Sequence, residues 1–123
     1  MRVLLIDDSP TFLQAIASLV SVWGHVELVS VANSGEEGLA RAAEVRPDLV
    51  LVDVVMPGLD GFETTRRLKA LPTPARVVVV SLSDQAPYYK AAIEAGADGF
   101  VAKGDLPRAL GDLLRRNKDS KGD

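Results

Sequence analysis

The sequence predicts an α/β fold, a (βα)5 doubly wound five-stranded parallel sheet with helices on both faces, and three observations carry that expectation. Strand-like and helix-like stretches alternate five times along 123 residues. The run Leu49-Val50-Leu51-Val52 is apolar at every position, as a strand covered on both faces must be, and it ends on Asp53, with Pro57 close behind to stop the ladder. Other apolar runs also end on polar residues: Ile6 precedes Asp7-Asp8, Val80 precedes Ser81, and Ala102 precedes Lys103. Ligands of such sheets sit beyond the carboxyl ends of the strands, so three carboxylates, a hydroxyl and an ammonium are expected at one edge.

The elements follow in order. The first strand covers residues 3–6. Pro10 suits the first position of a helix whose Phe12, Ala15, Ile16, Leu19, Val20 and Trp23 keep the i, i+3, i+4, i+7 spacing of one buried face, with Gly24 as its stop. Residues 26–31 alternate only in part, which suits an edge strand. Ser34 and Glu37 read as a capping box, each side chain bonding the other's backbone amide, at the start of a second helix with Leu39, Ala42 and Ala43 inward and Pro47 at its end. Beyond Asp53, residues 58–61 turn into a third helix with Phe62, Thr65, Leu68 and Leu71 on one face, stopped by Pro72 and Pro74. Residues 77–80 make the fourth strand, and Asp84 is expected to cap a fourth helix running through Ala92 and Ala95 to Gly96. A short fifth strand at 99–102 leads to a last helix presenting Leu106, Ala109, Leu110, Leu113 and Leu114. The expected division is one domain over residues 1–116 and a polar, flexible tail over 117–123.

Composition bounds the function. A net charge of −3 with both signs interspersed offers no basic patch for nucleic acid or anionic lipid. The absence of cysteine removes disulfides, thiolate metal sites and a cysteine nucleophile. No apolar stretch approaches the roughly 20 residues of a membrane span, and Asp7-Asp8 comes too early for a signal-peptide core, so no membrane contact is expected and the cytoplasm is the default location.

Asp7, Asp8 and Asp53 brought together would repel, and a hard divalent cation such as Mg²⁺ relieves that repulsion with a few carboxylates and several waters. Lys103 and Ser81 do not suit a soft metal. A metal ion beside a carboxylate, with an ammonium and a hydroxyl aimed at one place, would stabilise a phosphoryl group in transfer, and Asp53 would be the nucleophile that becomes an aspartyl phosphate.

These residues resemble a known family, the receiver domain of two-component response regulators, over residues 3 to about 116. The resemblance rests on Asp7-Asp8 after the first strand, Asp53 after the third with Met56-Pro57-Gly58 and Gly61 behind it, Ser81 after the fourth, and Lys103 after the fifth. It implies a flavodoxin-like sheet of order 2-1-3-4-5. It implies that Asp53 accepts a phosphoryl group from a sensor histidine kinase or a phosphotransfer protein. Asp8 would be a direct Mg²⁺ ligand, Asp7 a ligand through water and the Val55 carbonyl a further ligand, while Ser81 and Lys103 would bind the phosphoryl oxygens. Ser81 and the ring of Phe100 would then move together, and the face of helix four, strand five and helix five would change its affinity for an output protein, for a C-terminal effector domain absent from this chain, or for a second copy in a phosphorylation-linked homodimer. Such a protein is no enzyme in the ordinary sense, although it catalyses its own phosphorylation and slow dephosphorylation.

Three positions depart from the commonest pattern. Gly104 follows Lys103 where proline in a cis peptide is usual, which predicts a looser, trans turn; Leu82 follows Ser81 where a small residue is usual, and its bulk would narrow the entrance to Asp53; Phe100 lacks the phenol of the usual tyrosine. The alternative function is a phosphorylation-independent receiver-like module for docking or dimerisation. A flavodoxin-like redox module is disfavoured because Asp7-Asp8 would repel the cofactor's phosphate, and a dedicated phosphohydrolase because Val55 stands where a second acid would be needed. His25 has no partner in sequence, Trp23 reads as packing, Arg66-Arg67 and Arg115-Arg116 read as outward helix faces, and of the adjacent Tyr88 and Tyr89 one must be exposed.

Overall fold

Strands β1 (Arg2–Ile6), β2 (Glu27–Ala32), β3 (Leu49–Asp53), β4 (Arg76–Ser81) and β5 (Gly99–Ala102) pair in parallel in the order β2-β1-β3-β4-β5, the order expected. The computed structural model describes residues 1–82 and 86–122, with the backbone alone for Val29 and 116–122. Every residue of β3 is buried, and β1 and β4 are buried from Val3 and Val77 onward, which is why these strands read as unbroken apolar runs. The partly alternating β2 lies at an edge.

The pleat divides the apolar residues between two layers. Val3, Leu5, Leu49, Leu51, Val78 and Val80 face helices α1 (Pro10–Val20) and α5 (Leu106–Gly122), with Ile16, Val20, Leu106, Leu110, Leu113 and Leu114 packed on them. Leu4, Ile6, Val50, Val52, Val77 and Val79 face the other side, covered by α2 (Gly35–Val45), α3 (Gly61–Lys69) and α4 (Ala86–Glu94). A clip ties α3 to the sheet on that second side: Lys69 Nζ lies 2.8 Å from Asp98 Oδ2, which also accepts the Val77 amide at 2.8 Å.

Several local expectations change. Helix α1 ends at Val20 instead of running to Gly24: the Ser21 hydroxyl donates to the Ser18 carbonyl at 2.7 Å, and a serine competing for the backbone suits a helix end. Trp23 therefore sits in a turn, yet its ring still packs against the α1/α5 layer and above Gly111. In α2 the buried stripe is Gly35, Gly38 and Ala42, while Leu39 is half-buried and Ala43 exposed. The small residues bring the helix so close that a Cβ at 38 would run into the Ile6 side chain. Only half of the capping box forms: Ser34 Oγ accepts the Glu37 amide at 3.1 Å, but the Glu37 carboxylate accepts the amide of Asn33 at 2.8 Å, one residue earlier than expected. The α5 backbone is helical to Gly122, and residues 117–121 contain neither proline nor glycine to break it. The cap expected at Asp84 lies outside the described residues.

Leu110 is 2 % exposed in the centre of the α1/α5 layer. Leu110→Ala is expected to lower unfolding stability by about 2–5 kcal/mol, measured by urea titration, through lost burial and the cavity left behind.

Candidate functional site

Parallel strands in register bring the five expected side chains to one edge. Asp53 closes β3 and pairs in register with Val80, so Ser81, the last residue of β4, lies one step further on and in turn pairs with Ala102 of β5. Asp7 follows β1 and donates its amide to the Ala32 carbonyl at 3.0 Å, which fixes the strand's exit. Lys103 opens a 3-10 turn, Lys103–Asp105, and the peptides of the described residues are all trans, as Gly104 led us to expect.

One carboxylate oxygen from each of Asp7, Asp8 and Asp53 lies within 4.8 Å of the others. Asp7 and Asp53 are buried and Asp8 is exposed, so the cluster opens outward on one side only. Lys103 Nζ stands 2.9 Å from Asp7 Oδ2 and 3.7 Å from Asp53 Oδ2. Asp7 Oδ2 nevertheless has no hydrogen-bond partner, because the ammonium does not meet it in alignment. A cleft of about 300 Å³ above the carboxylates is lined by Asp8, Asp53, Val55, Ser81, Leu82, Tyr88 and Lys103. Leu82 is 86 % exposed, so it stands on the rim of this cleft and does not plug it.

Burial pushes the Asp53 carboxyl up from 3.8 to about 6, helped by the charges of Asp7 and Asp8 and opposed by Lys103 and the Val54 amide. The donor set also fits the metal that the sequence suggested. It consists of hard carboxylate oxygens, and the buried Asp7 Oδ2, ion-paired with Lys103 without a hydrogen bond, has capacity left to accept another. Small residues make room for the loop behind Asp53: Gly58 adopts φ +76°, and a Cβ on Gly61 would run into the Asp53 carbonyl oxygen.

Two participants were not legible as such. Phe12, read from its spacing as a core residue, places its ring 4.3 Å from Lys103 Nζ. Tyr88, read with Tyr89 as a surface pair, is half-buried, packs on Phe62 with centroids 6.3 Å apart, and lines the cleft. Tyr89 is the exposed one, with its ring edge-on to Phe100 at 5.9 Å. The signal for Phe12 was its place in the first turn of the helix that leaves Asp7-Asp8. By contrast, Arg66 and Arg67 do lie outward, closing on Glu63 at 2.8 and 3.1 Å, and the His25 ring stands edge-on to Trp23 with centroids 6.2 Å apart while its carbonyl accepts the N-terminal ammonium at 2.7 Å, away from the site.

Comparison with known proteins agrees with this geometry. The family profile described as Response regulator receiver domain matches residues 3–115. A nitrate/nitrite response regulator protein homolog of Haemophilus influenzae is 35 % identical over 94 % of this chain and 56 % of its own length. A gliding motility regulatory protein of Myxococcus xanthus is 44 % identical over 86 % of this chain and 14 % of its own length. The solved signal receiver domain of NarL from Mycobacterium tuberculosis superposes with a TM-score of 0.88 at 30 % identity, covering 95 % of each chain. The chain spans about half the length of most of the curated relatives it matches.

Two outcomes follow from the geometry alone. Because the folded state holds the Asp53 proton more tightly than the unfolded chain does, this group's contribution to stability is full below pH 3.8 and is lost as pH rises through about 6. Without divalent metal, Asp53→Asn should therefore be more stable than wild type at pH 7.5, by about 1–2 kcal/mol once solvent screening is allowed for, and the gain should vanish near pH 4; urea titrations across that range measure it. Gly61→Ala should destabilise by about 1–3 kcal/mol in the same assay, since the obstacle is backbone and cannot swing aside.

Proposed function

Because this chain belongs to the family of response regulator receiver domains, we propose that it is a signalling switch set by phosphorylation of Asp53 and read by another protein surface. The single observation that carries the proposal is the position of the Asp53 carboxylate, at the floor of a cleft, between two further carboxylates and the Lys103 ammonium. The donor is a sensor histidine kinase or a phosphotransfer protein, and the reaction takes place in the cytoplasm. Among the described residues no helix is long and apolar enough to cross a membrane.

In the transfer, an Asp53 carboxylate oxygen forms a bond to phosphorus as the bond from phosphorus to the donor's imidazole nitrogen breaks, and the electron pair leaves with the imidazole. Asp7, Asp8, Asp53 and the Val55 carbonyl would hold Mg²⁺, which when bound neutralises charge on the phosphoryl oxygens and keeps the acceptor ionised. Lys103 supplies a fixed ammonium to one phosphoryl oxygen and the Ser81 hydroxyl donates to another. Attack of water on phosphorus later returns inorganic phosphate and the free carboxylate, so the state is self-limiting.

The readout passes through Ser81. Val79 pairs with Phe100 and Ser81 with Ala102, so Ser81 and Phe100 belong to one face of the β4/β5 ladder. A hydroxyl drawn toward a phosphoryl group on Asp53 leaves space behind it, and the half-buried Phe100 ring, covered by Tyr89, is the group placed to use that space. Without a phenol, Phe100 signals through packing alone. The surface altered is that of α4, β5 and α5, where Tyr89, Phe100 and Ala109 line a shallow groove for an output protein, an effector domain or a second phosphorylated copy.

Intact mass after incubation with acetyl phosphate tests this reading. One phosphoryl adduct is expected with Mg²⁺, none with chelator, and none in Asp53→Asn under either condition. If wild type gives no adduct and Leu82→Ala, which clears the rim, gives none either, the reading is wrong and the chain is a docking module.

A further inference from the structure

Lys103 reaches the site from weakly constrained backbone. It opens a 3-10 turn, and its neighbour Gly104, standing where a ring-locked residue is usual in the family, is exposed with nothing within 4 Å of where a Cβ would be. A lysine side chain carries several rotatable bonds and a point charge, so it spreads its ammonium unless something fixes it. The two carboxylates at 2.9 and 3.7 Å attract the charge but compete for it, and attraction between point charges sets no direction. The third neighbour is the face of Phe12, 4.3 Å from Nζ, and the Lys103 side chain is only 14 % exposed, so this contact is made largely out of water.

Phe12 is itself placed by the same carboxylate. Asp7 Oδ1 accepts the Ser9 amide at 2.8 Å, and Ser9 Oγ accepts the Phe12 amide at 3.2 Å as the cap of α1. Asp7 Oδ2 then faces Lys103, so the contacts form a closed ring: Asp7 to Ser9, Ser9 to Phe12, Phe12 to Lys103, and Lys103 back to Asp7. We infer that Phe12 is a positioning residue for phosphoryl transfer, its ring face holding the Lys103 ammonium over the cleft in place of the backbone restraint that Gly104 does not provide. The inference rests on the reading of Lys103 as the cation that meets the phosphoryl group. The competing account is that Phe12 only fills the α1/α5 layer, against which it also packs.

The two accounts separate in a cycle of Phe12→Leu and Phe12→Tyr, each made with and without Lys103→Met. Three quantities are read: the rate of phosphorylation by acetyl phosphate with Mg²⁺, the urea midpoint, and the proton shift of the Lys103 ε-methylene. Phe12→Leu keeps the apolar bulk but loses the π face, and it should slow phosphorylation by about 3- to 10-fold while Phe12→Tyr stays within about twofold of wild type. In the Lys103→Met background Phe12→Leu should have no further effect on rate, and its change in urea midpoint should be smaller there, because the contact with the ammonium is no longer there to lose. The ε-methylene should lie upfield, over the ring, in wild type and Phe12→Tyr, and return to its ordinary position in Phe12→Leu. A rate loss of equal size with and without the ammonium, or a wild-type rate and unmoved shift in Phe12→Leu, overturns the inference. If Lys103→Met alone leaves the rate unchanged, the role given to Lys103 fails and the inference falls with it.

Discussion

Two buried carboxylates share one ammonium at the carboxyl edge of the sheet, and much of the site follows from that shortage of positive charge. Like charges about 4 Å apart repel by about 4 kcal/mol at the effective dielectric of a protein surface. Asp7, Asp8 and Asp53 are that close, and Lys103 offsets one charge of three. The Asp53 carboxyl is raised chiefly by burial, and the charges of Asp7 and Asp8 add to that rise. A dication answers the excess, and so does protonation of Asp53. Gathering three carboxylates thus costs free energy, and the rigid sheet beneath them bears the cost.

What the sequence made legible was whatever depends on the strands. An apolar run ending in a polar residue is a one-dimensional signal with a three-dimensional meaning, because parallel strands in register carry their ends to a common edge; Asp7, Asp8, Asp53, Ser81 and Lys103 were all found in that way. What failed depended on which partner an otherwise suitable residue meets. Trp23 had the right spacing for α1, but Ser21 took the backbone first. Glu37 had the right spacing for Ser34, but its carboxylate reached Asn33. Ala43 had the right polarity for the α2 stripe, but glycines at 35 and 38 turned the helix toward the sheet along another line. Phe12 is the most instructive case. Periodicity identified its face correctly and said nothing about the cation beyond the edge of that face.

Glycine has a second role in the site, which is proximity. At Gly61 the start of α3 comes against the carbonyl of Asp53, and the Gly61 amide donates to the Val54 carbonyl at 2.8 Å. The helix and the end of β3 thereby form one stiff corner, and the Val54 amide within it donates to the Asp53 carboxylate. At Gly104 the same residue type does the opposite and leaves the turn open, so that Lys103 depends on side chains for its direction.

The division of the core by the pleat also decides how such a molecule can conduct a signal. Asp53 lies over the layer of α1 and α5, alongside Leu51 and Phe12, whereas Phe100 packs into the layer of α2, α3 and α4. Between them stands a sheet of buried valine, leucine and isoleucine with apolar packing on either side. In the proposed readout the way from one layer to the other is the rim where β4 ends, and Ser81 is the last residue of that strand. In that readout the sheet is an insulator as well as a scaffold, and a disturbance in one layer reaches the other by being brought up to the rim and handed across.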